Sequence, residues 1–428
     1  MQIQNISHSN MPDPIRDVKP AAAKSEADVN LTVTDQADIG SGTPAPEIDF
    51  SKAADVVLSS KRTDVKIKWS FENSRDFSMP PAVSPDGSHI FACDGYNVFC
   101  IDKSGHKSWE KPLDSWTCSK PVVGPDSSYV VWDKGNQLRL FDKDGNEKWK
   151  TENEKPWHSS PIFGKDGTVY VNNDDRHLYA IDPKDGSVKW KTKLEFKGSP
   201  RPVECSDGSI AMVDDQDQVY KIKDGKILWD KKMPGRVNGP ISVGKDDSVY
   251  VTNEDGNLYA LNPDGSEKWT YTAGTPLRKP PVEAPDGTLY LPTFTGNSLV
   301  ALNPDGTKKW EYGFEGFAHA EPVLDKNGNI YIGSNDKNFY ALNPDGSLKW
   351  KHQFSVMIDE PAVVGADGAV YVALLDKKVH CFMTVKEQLA ELSKENENSG
   401  GSGKPGGIKV EEERVIIGGV ELPRKKNS

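Results

Sequence analysis

Residues 257–269 read NLYALNPDGSEKW, and nearly the same text returns as LVALNPDGTKKW at 299–310 and FYALNPDGSLKW at 339–350. A longer copy, LYAIDPKDGSVKW, occupies 178–190; VFCIDKSGHKSW (98–109), LRLFDKDGNEKW (138–149) and VYKIKDGKILW (219–229) are looser versions. With KIKWS at 66–70, the closing tryptophans Trp69, Trp109, Trp149, Trp190, Trp229, Trp269, Trp310 and Trp350 recur every 39 to 41 residues. A proline ladder runs in step, with Pro81, Pro121, Pro161, Pro202, Pro240, Pro281, Pro322 and Pro361 each 11 or 12 residues after a tryptophan. Two ladders in register define a repeated structural unit.

One unit reads as four short strands. In the fifth, GPISV (239–243), SVYVTN (248–253), NLYAL (257–261) and SEKWTY (266–271) are rich in β-branched and aromatic residues, and an Asp-Gly or Asp-Asp turn sits where a tight hairpin requires it. An antiparallel four-stranded meander repeated every ~40 residues is the period of a β-propeller blade. The last unit supplies EPAVV (360–364), GAVYVAL (368–374) and KVHCF (378–382) but no tryptophan strand, whereas KIKWS has no preceding strands of its own. The fold class is therefore all-β, an eight-bladed propeller closed by its N-terminal strand, which leaves no open seam in the ring.

The AxDxxxGxxxW text at Ala180, Asp182, Gly186 and Trp190, with its shortened ALNPDGxxKW versions, resembles the tryptophan-docking repeat of the PQQ-like propellers. That family includes quinoprotein dehydrogenases and the outer-membrane assembly lipoprotein BamB. The resemblance implies that each of the eight ladder indoles docks on the neighbouring blade near its turn glycine. It also implies that a quinone-binding enzyme would carry longer chains, a vicinal cysteine pair and extra loops with a carboxylate base and calcium ligands. This sequence has no adjacent cysteines and minimal blades. The expectation is a non-enzymatic protein without cofactor or metal; a PQQ- or small-ligand-binding protein, or a degenerate quinoprotein oxidoreductase, is the alternative.

Composition narrows the partners. The 428 residues carry a net charge of −11, the wrong sign for neutralising nucleic-acid phosphates. No run approaches the ~18 apolar residues of a membrane span, and the first residues lack a Sec-type signal, so a monomer in the cytoplasm, or exported by another route, is expected. The five cysteines (Cys93, Cys100, Cys118, Cys205, Cys381) form no CxxC pair and read as reduced core thiols. DKDGNEKW echoes the start of a calcium loop but lacks its twelfth-position glutamate, and the eight histidines show no metal spacing.

Blade geometry puts the turns of both hairpins on one rim and the connections from each tryptophan strand to the next inner strand on the other. On that second rim the repeats diverge. Lys120, Arg201, Arg278 and Lys279 are expected to face Glu321, Asp359 and Glu360 across the ring, with Phe77, Trp116, Trp157 and Phe317 as exposed aromatics outside the docking register. Aromatics beside mixed charge suit a protein or peptide partner. An exported bacterial effector using the ring for host-protein interaction is a further alternative. Flanking the propeller (63–383), residues 1–62 read as a disordered leader, 384–396 as a short helix opened by a Thr384–Glu387 capping box, 397–407 as a flexible linker, and 408–428 as a tail whose strand adds to another sheet edge.

Overall fold

The structure, a computed structural model, describes residues 65–383 apart from 78, 118 and 158, together with three short strands at 408–411, 414–417 and 420–421. The expected leader, helix and linker lie outside the described residues. Eight four-stranded antiparallel sheets follow one another along the chain. Blade 5 shows the plan, with strands Ser242–Val243, Val249–Thr252, Asn257–Leu261 and Glu267–Thr272 running from the axis outwards. The middle strands are sandwiched between neighbouring blades on both faces, so VYVT and NLYAL are continuous apolar runs. The outer strand EKWTYT buries one face only and alternates accordingly.

The repeated turns have a local cause. Asn262 accepts from Gly265 N at 2.9 Å with Gly265 at φ +84°, and the ladder slips between Ala260 and Leu261, giving a type I turn closed by a glycine bulge. The first hairpins are held in the same way, with Gly87 N donating to Ser84 O at 2.8 Å and Gly287 N to Ala284 O at 3.0 Å, while Asp86, Asp126, Asp166, Asp246 and Asp286 each accept the backbone N–H two residues on, at 2.9–3.0 Å. These aspartates are turn formers using backbone amides as partners. Blade 4 departs from the plan. Its turn is the two-residue Asp224-Gly225, both with positive φ, and its inner strand Gly198–Glu204 is long, with a slip between Ser199 and Val203.

The ring closes as its sequence predicts. Ile67–Glu72 is the outer strand of blade 8, antiparallel to Lys378–Phe382, with Trp69 opposite Cys381 and Ser70 opposite His380. Between blades, six indoles dock on the next blade's outer turn. Trp69, Trp109, Trp149, Trp229, Trp269 and Trp310 donate to the carbonyls of Lys103, Lys143, Pro183, Pro263, Pro304 and Pro344 at 2.8–3.1 Å. The turn glycine lies flat under each ring; a Cβ on Gly306 would stand 2.7 Å from Trp269. Trp350 meets blade 8, where the third and outer strands are not joined by a turn, and its ring packs at a tilt on Phe382, 5.3 Å between centroids. Trp190 meets the shortened turn of blade 4 and covers Gly225 without a hydrogen bond.

Near the C-terminus, Ile408–Glu411, Arg414–Ile417 and Val420–Glu421 pair with one another as an antiparallel meander.

Candidate functional site

The connections between blades share their rim with the turns between second and third strands, and backbone bonds tie the two together. Lys134 N donates to Trp116 O, Asp174 N to Pro156 O, Glu254 N to Arg236 O and Asn335 N to Phe317 O, all at 2.8–3.0 Å. The linkers therefore cannot splay, and side chains from both segments form one surface.

The aromatics expected to be exposed there divide. Trp157 is 2% and Phe77 1% exposed; Trp157 donates to Asn136 O at 3.1 Å and meets Tyr179 edge-on. Their exposure is corrected: they occupy a repeated linker position, shared by Thr117, Val237, Leu277, Ala318 and Ile358, that is buried in every case and plugs the seam under the linker. Trp116 is half-buried beneath the Lys134 ammonium, 4.4 Å from its ring. Phe317 alone of the set stands clear, at 42% exposure.

The charged residues also separate, into two groups. In the first, opposite walls meet across the axis, where Arg201 Nη2 lies 2.9 Å from the Glu321 carboxylate, with Lys279 Nζ of the neighbouring blade 4.0 Å from it. The expected open mouth with facing charges is thus a closed contact, since the inner strands bring long side chains within reach of one another. Burial pushes Glu321 up, but Arg201, Lys279 and Lys120 outweigh it and hold the carboxyl below its ordinary range. Burial dominates at Glu360, which is raised. Lys120 is pushed down to about 8, by burial first and by its cationic neighbours, against the pull of Glu321 and Glu360. The layer bounds one end of a channel cavity of about 460 Å³.

Arg278 is not part of that layer, although it adjoins Lys279. Its Nε bonds Glu254 at 2.9 Å and its guanidinium lies 3.8 Å over Phe294. Phe294 continues a parallel stack with His319 (4.4 Å), and Phe317 lies parallel at 5.5 Å from His319. His319 Nδ1 contacts Asn335 Nδ2 at 3.4 Å and lies 3.6 Å from Asp359 Oδ1. Burial depresses the imidazole; Asp359 opposes this, and Lys279 and Arg278 reinforce it. Three polar atoms here, His319 Nε2, Asn335 Oδ1 and Asp359 Oδ1, are buried without a hydrogen-bond partner among the described residues. Met357, at 48% exposure, stands on the same linker as Asp359. Glu254, Phe294, His319, Asn335 and Met357 escaped the sequence reading. All but His319 and Met357 come from the second-to-third-strand turns, and the signal that finds them is the fourfold strand order, which puts those turns on the linker rim.

One constellation has the look of a proton relay. Ser70 Oγ lies 2.8 Å from His380 Nδ1, and His380 Nε2 lies 2.9 Å from Asp376 Oδ2. Its turn aspartate plays the role seen in blades 3 and 7, where Tyr179 donates to Asp175 and Tyr340 to Asp336 at 2.5 and 2.6 Å. His380 takes that tyrosine's place and ties the closing strand to blade 8. The described cysteines are buried, and burial pushes the Cys93 and Cys100 thiols up to about 12, which keeps them unreactive.

The family profile described as Outer membrane protein assembly factor BamB matches residues 53–201 and again 194–382. The chain belongs to this family. The two BamB-family matches overlap at 194–201, where the inner strand of blade 4 begins, as a repeat protein fitted twice by one profile requires. No curated protein matches the chain. Among solved structures, BamB from Moraxella catarrhalis superposes with a TM-score of 0.62 at 15% identity, covering 75% of this chain and 100% of that one. At that identity the likeness to BamB is one of fold.

Proposed function

We propose that this propeller is a non-enzymatic scaffold that captures an extended protein segment on the part of the linker rim contributed by blades 6 to 8. The observation that carries the reading is the convergence at one place of two exposed apolar side chains, Phe317 and Met357, with three buried polar atoms that have no hydrogen-bond partner among the described residues, on His319, Asn335 and Asp359. Buried acceptors without donors are costly, on the order of 1–3 kcal/mol each, and are tolerated where a ligand supplies the donor. Asp359 and Asn335 call for a donor, and the nearest cations, Arg278 and Lys279, are held by Glu254 and Glu321. The segment that fits carries a Lys or Arg beside an apolar residue, the latter covering Phe317 and Met357. An interaction role also accords with the assembly-factor description of the family.

Selection of displayed random peptides against the full chain tests this. Enrichment of a basic-apolar pair, lost on Asp359→Asn and on the double change Phe317→Ser with Met357→Ser, is the expected result. Enriched peptides that bind both variants as well as the parent would refute it.

A further inference from the structure

Among the described residues, the channel holds a cation with no hydrogen-bond or ion-pair partner. Arg201 and Lys279 both converge on Glu321, and Glu360 is driven by burial toward its neutral form. Lys120 makes no hydrogen bond and no ion pair within 4 Å among the described residues, yet it lines the cavity of about 460 Å³ that Arg201 and Glu321 also line. A buried amine that merely filled space would be better served by an apolar side chain, which needs no desolvation. Beside the charged end Pro80, Pro81, Pro322 and Pro361, with Val323 and Val363, present apolar faces, and Lys245, Glu283 and Asp325 also line the cavity. A space of this size, mostly apolar and with a few convergent polar groups, has the make-up of a small-molecule site.

We propose that the channel is a binding site for a compact organic carboxylate, its carboxylate held by Lys120 with Arg201 behind it and its apolar ring packed on the proline wall. The site shares none of the rim residues Phe317, His319, Asn335, Met357 and Asp359, so the two readings stand or fall independently. A bound carboxylate supplies the counter-charge that Lys120 lacks and keeps it protonated. Because the free amine has been pushed down to about 8, binding near that pH draws a proton from solution, whereas a surface ion pair of an ordinary lysine does not.

Isothermal titration calorimetry of the full chain with 2-naphthoate, and with its neutral isostere 2-naphthamide, tests the site. The expected result is binding of naphthoate but not the amide, weakened about ten-fold or more in Lys120→Met and unchanged in Phe317→Ser. At pH 8, titrations in two buffers of different ionisation heat should show uptake of about half a proton per naphthoate. Lys120→Gln serves as a second variant should Lys120→Met not fold. Absence of naphthoate binding, equal binding of the amide, or equal binding by the Lys120 variants would overturn the proposal.

Discussion

On the turn end of the ring, six tryptophans repeat one contact, an indole N–H on a carbonyl at 2.8–3.1 Å with a glycine beneath the ring. On the linker end the blades diverge: position by position the residue before the ladder proline is Pro80, Lys120, Ser160, Arg201, Gly239, Pro280, Glu321 or Glu360, six residue types in eight blades. At the first end six of the eight ladder indoles meet a carbonyl, and the turn aspartates meet backbone amides. Among the described residues, the second end leaves an ammonium and several buried polar atoms, those of His319, Asn335 and Asp359 among them, without hydrogen-bond partners. Uniform contacts hold the wheel together, and the individual ones are where another molecule has something to gain.

Four measurements bear on this contrast. Trp269→Ala should cost about 3 kcal/mol in chemical denaturation, through lost packing on Tyr250 and the lost bond to Pro304; a change under about 1 kcal/mol would mean that the turn end does not carry the ring. Lys120→Met should act in the opposite direction and raise stability at pH 7 by about 1–3 kcal/mol. The sign follows from the depressed amine. Below pH 8 the folded and unfolded parents both hold the proton, and the full cost of the buried charge is present; between about 8 and 10.5 the folded state releases it first, the unfolded state binds more protons, and the parent gains stability as pH rises. The advantage of the variant should therefore shrink across that window, and a pH-independent difference would show that the charge is not the cause.

A finer comparison lies within the turn end itself. Trp310→Phe forfeits a hydrogen bond to Pro344 that has no counterpart for Trp350 among the described residues, so it should cost about 1 kcal/mol more than Trp350→Phe in parallel thermal or urea melts. Equal losses would assign the docking energy to ring packing alone. Smallest of all, Phe317→Ser and Met357→Ser should each alter stability by no more than about 0.5 kcal/mol while removing peptide capture, since neither side chain is buried in a seam.

The fold was legible because its cause is local and repeated eight times: a turn that requires glycine, an indole that requires that glycine, and a strand whose alternation follows. Closure was legible too, since KIKWS and KVHCF each lacked what the other provides. The linker end resisted reading for a different reason. Trp157 and Phe317 both stand outside the docking register, yet one sits at the buried plug position and the other one residue before it, and a single step along the linker turns a side chain from seam to solvent. Arg278 and Lys279 part in the same way, one to Glu254 and one to Glu321 at the start of the next blade. Contacts across the channel join residues as much as 120 apart, as Arg201 and Glu321 are, and depend on the diameter of the closed ring, which no stretch of sequence states.

The pairing of Ser70 with His380 joins strands 310 residues apart. At translation rates of 5–20 residues per second, roughly 15–60 s pass between the emergence of the first strand from the ribosome and that of its only partner. Through that interval residues 67–72 have no sheet to join, and the final blade lacks its outer edge until they return to it. Local hairpins form early, but completion of the molecule is a post-synthetic event governed by the meeting of distant segments. A nascent chain stalled before residue 378 would expose the edges of a ring unable to shut, and such arrested chains should be the species that chaperones hold and proteases cut.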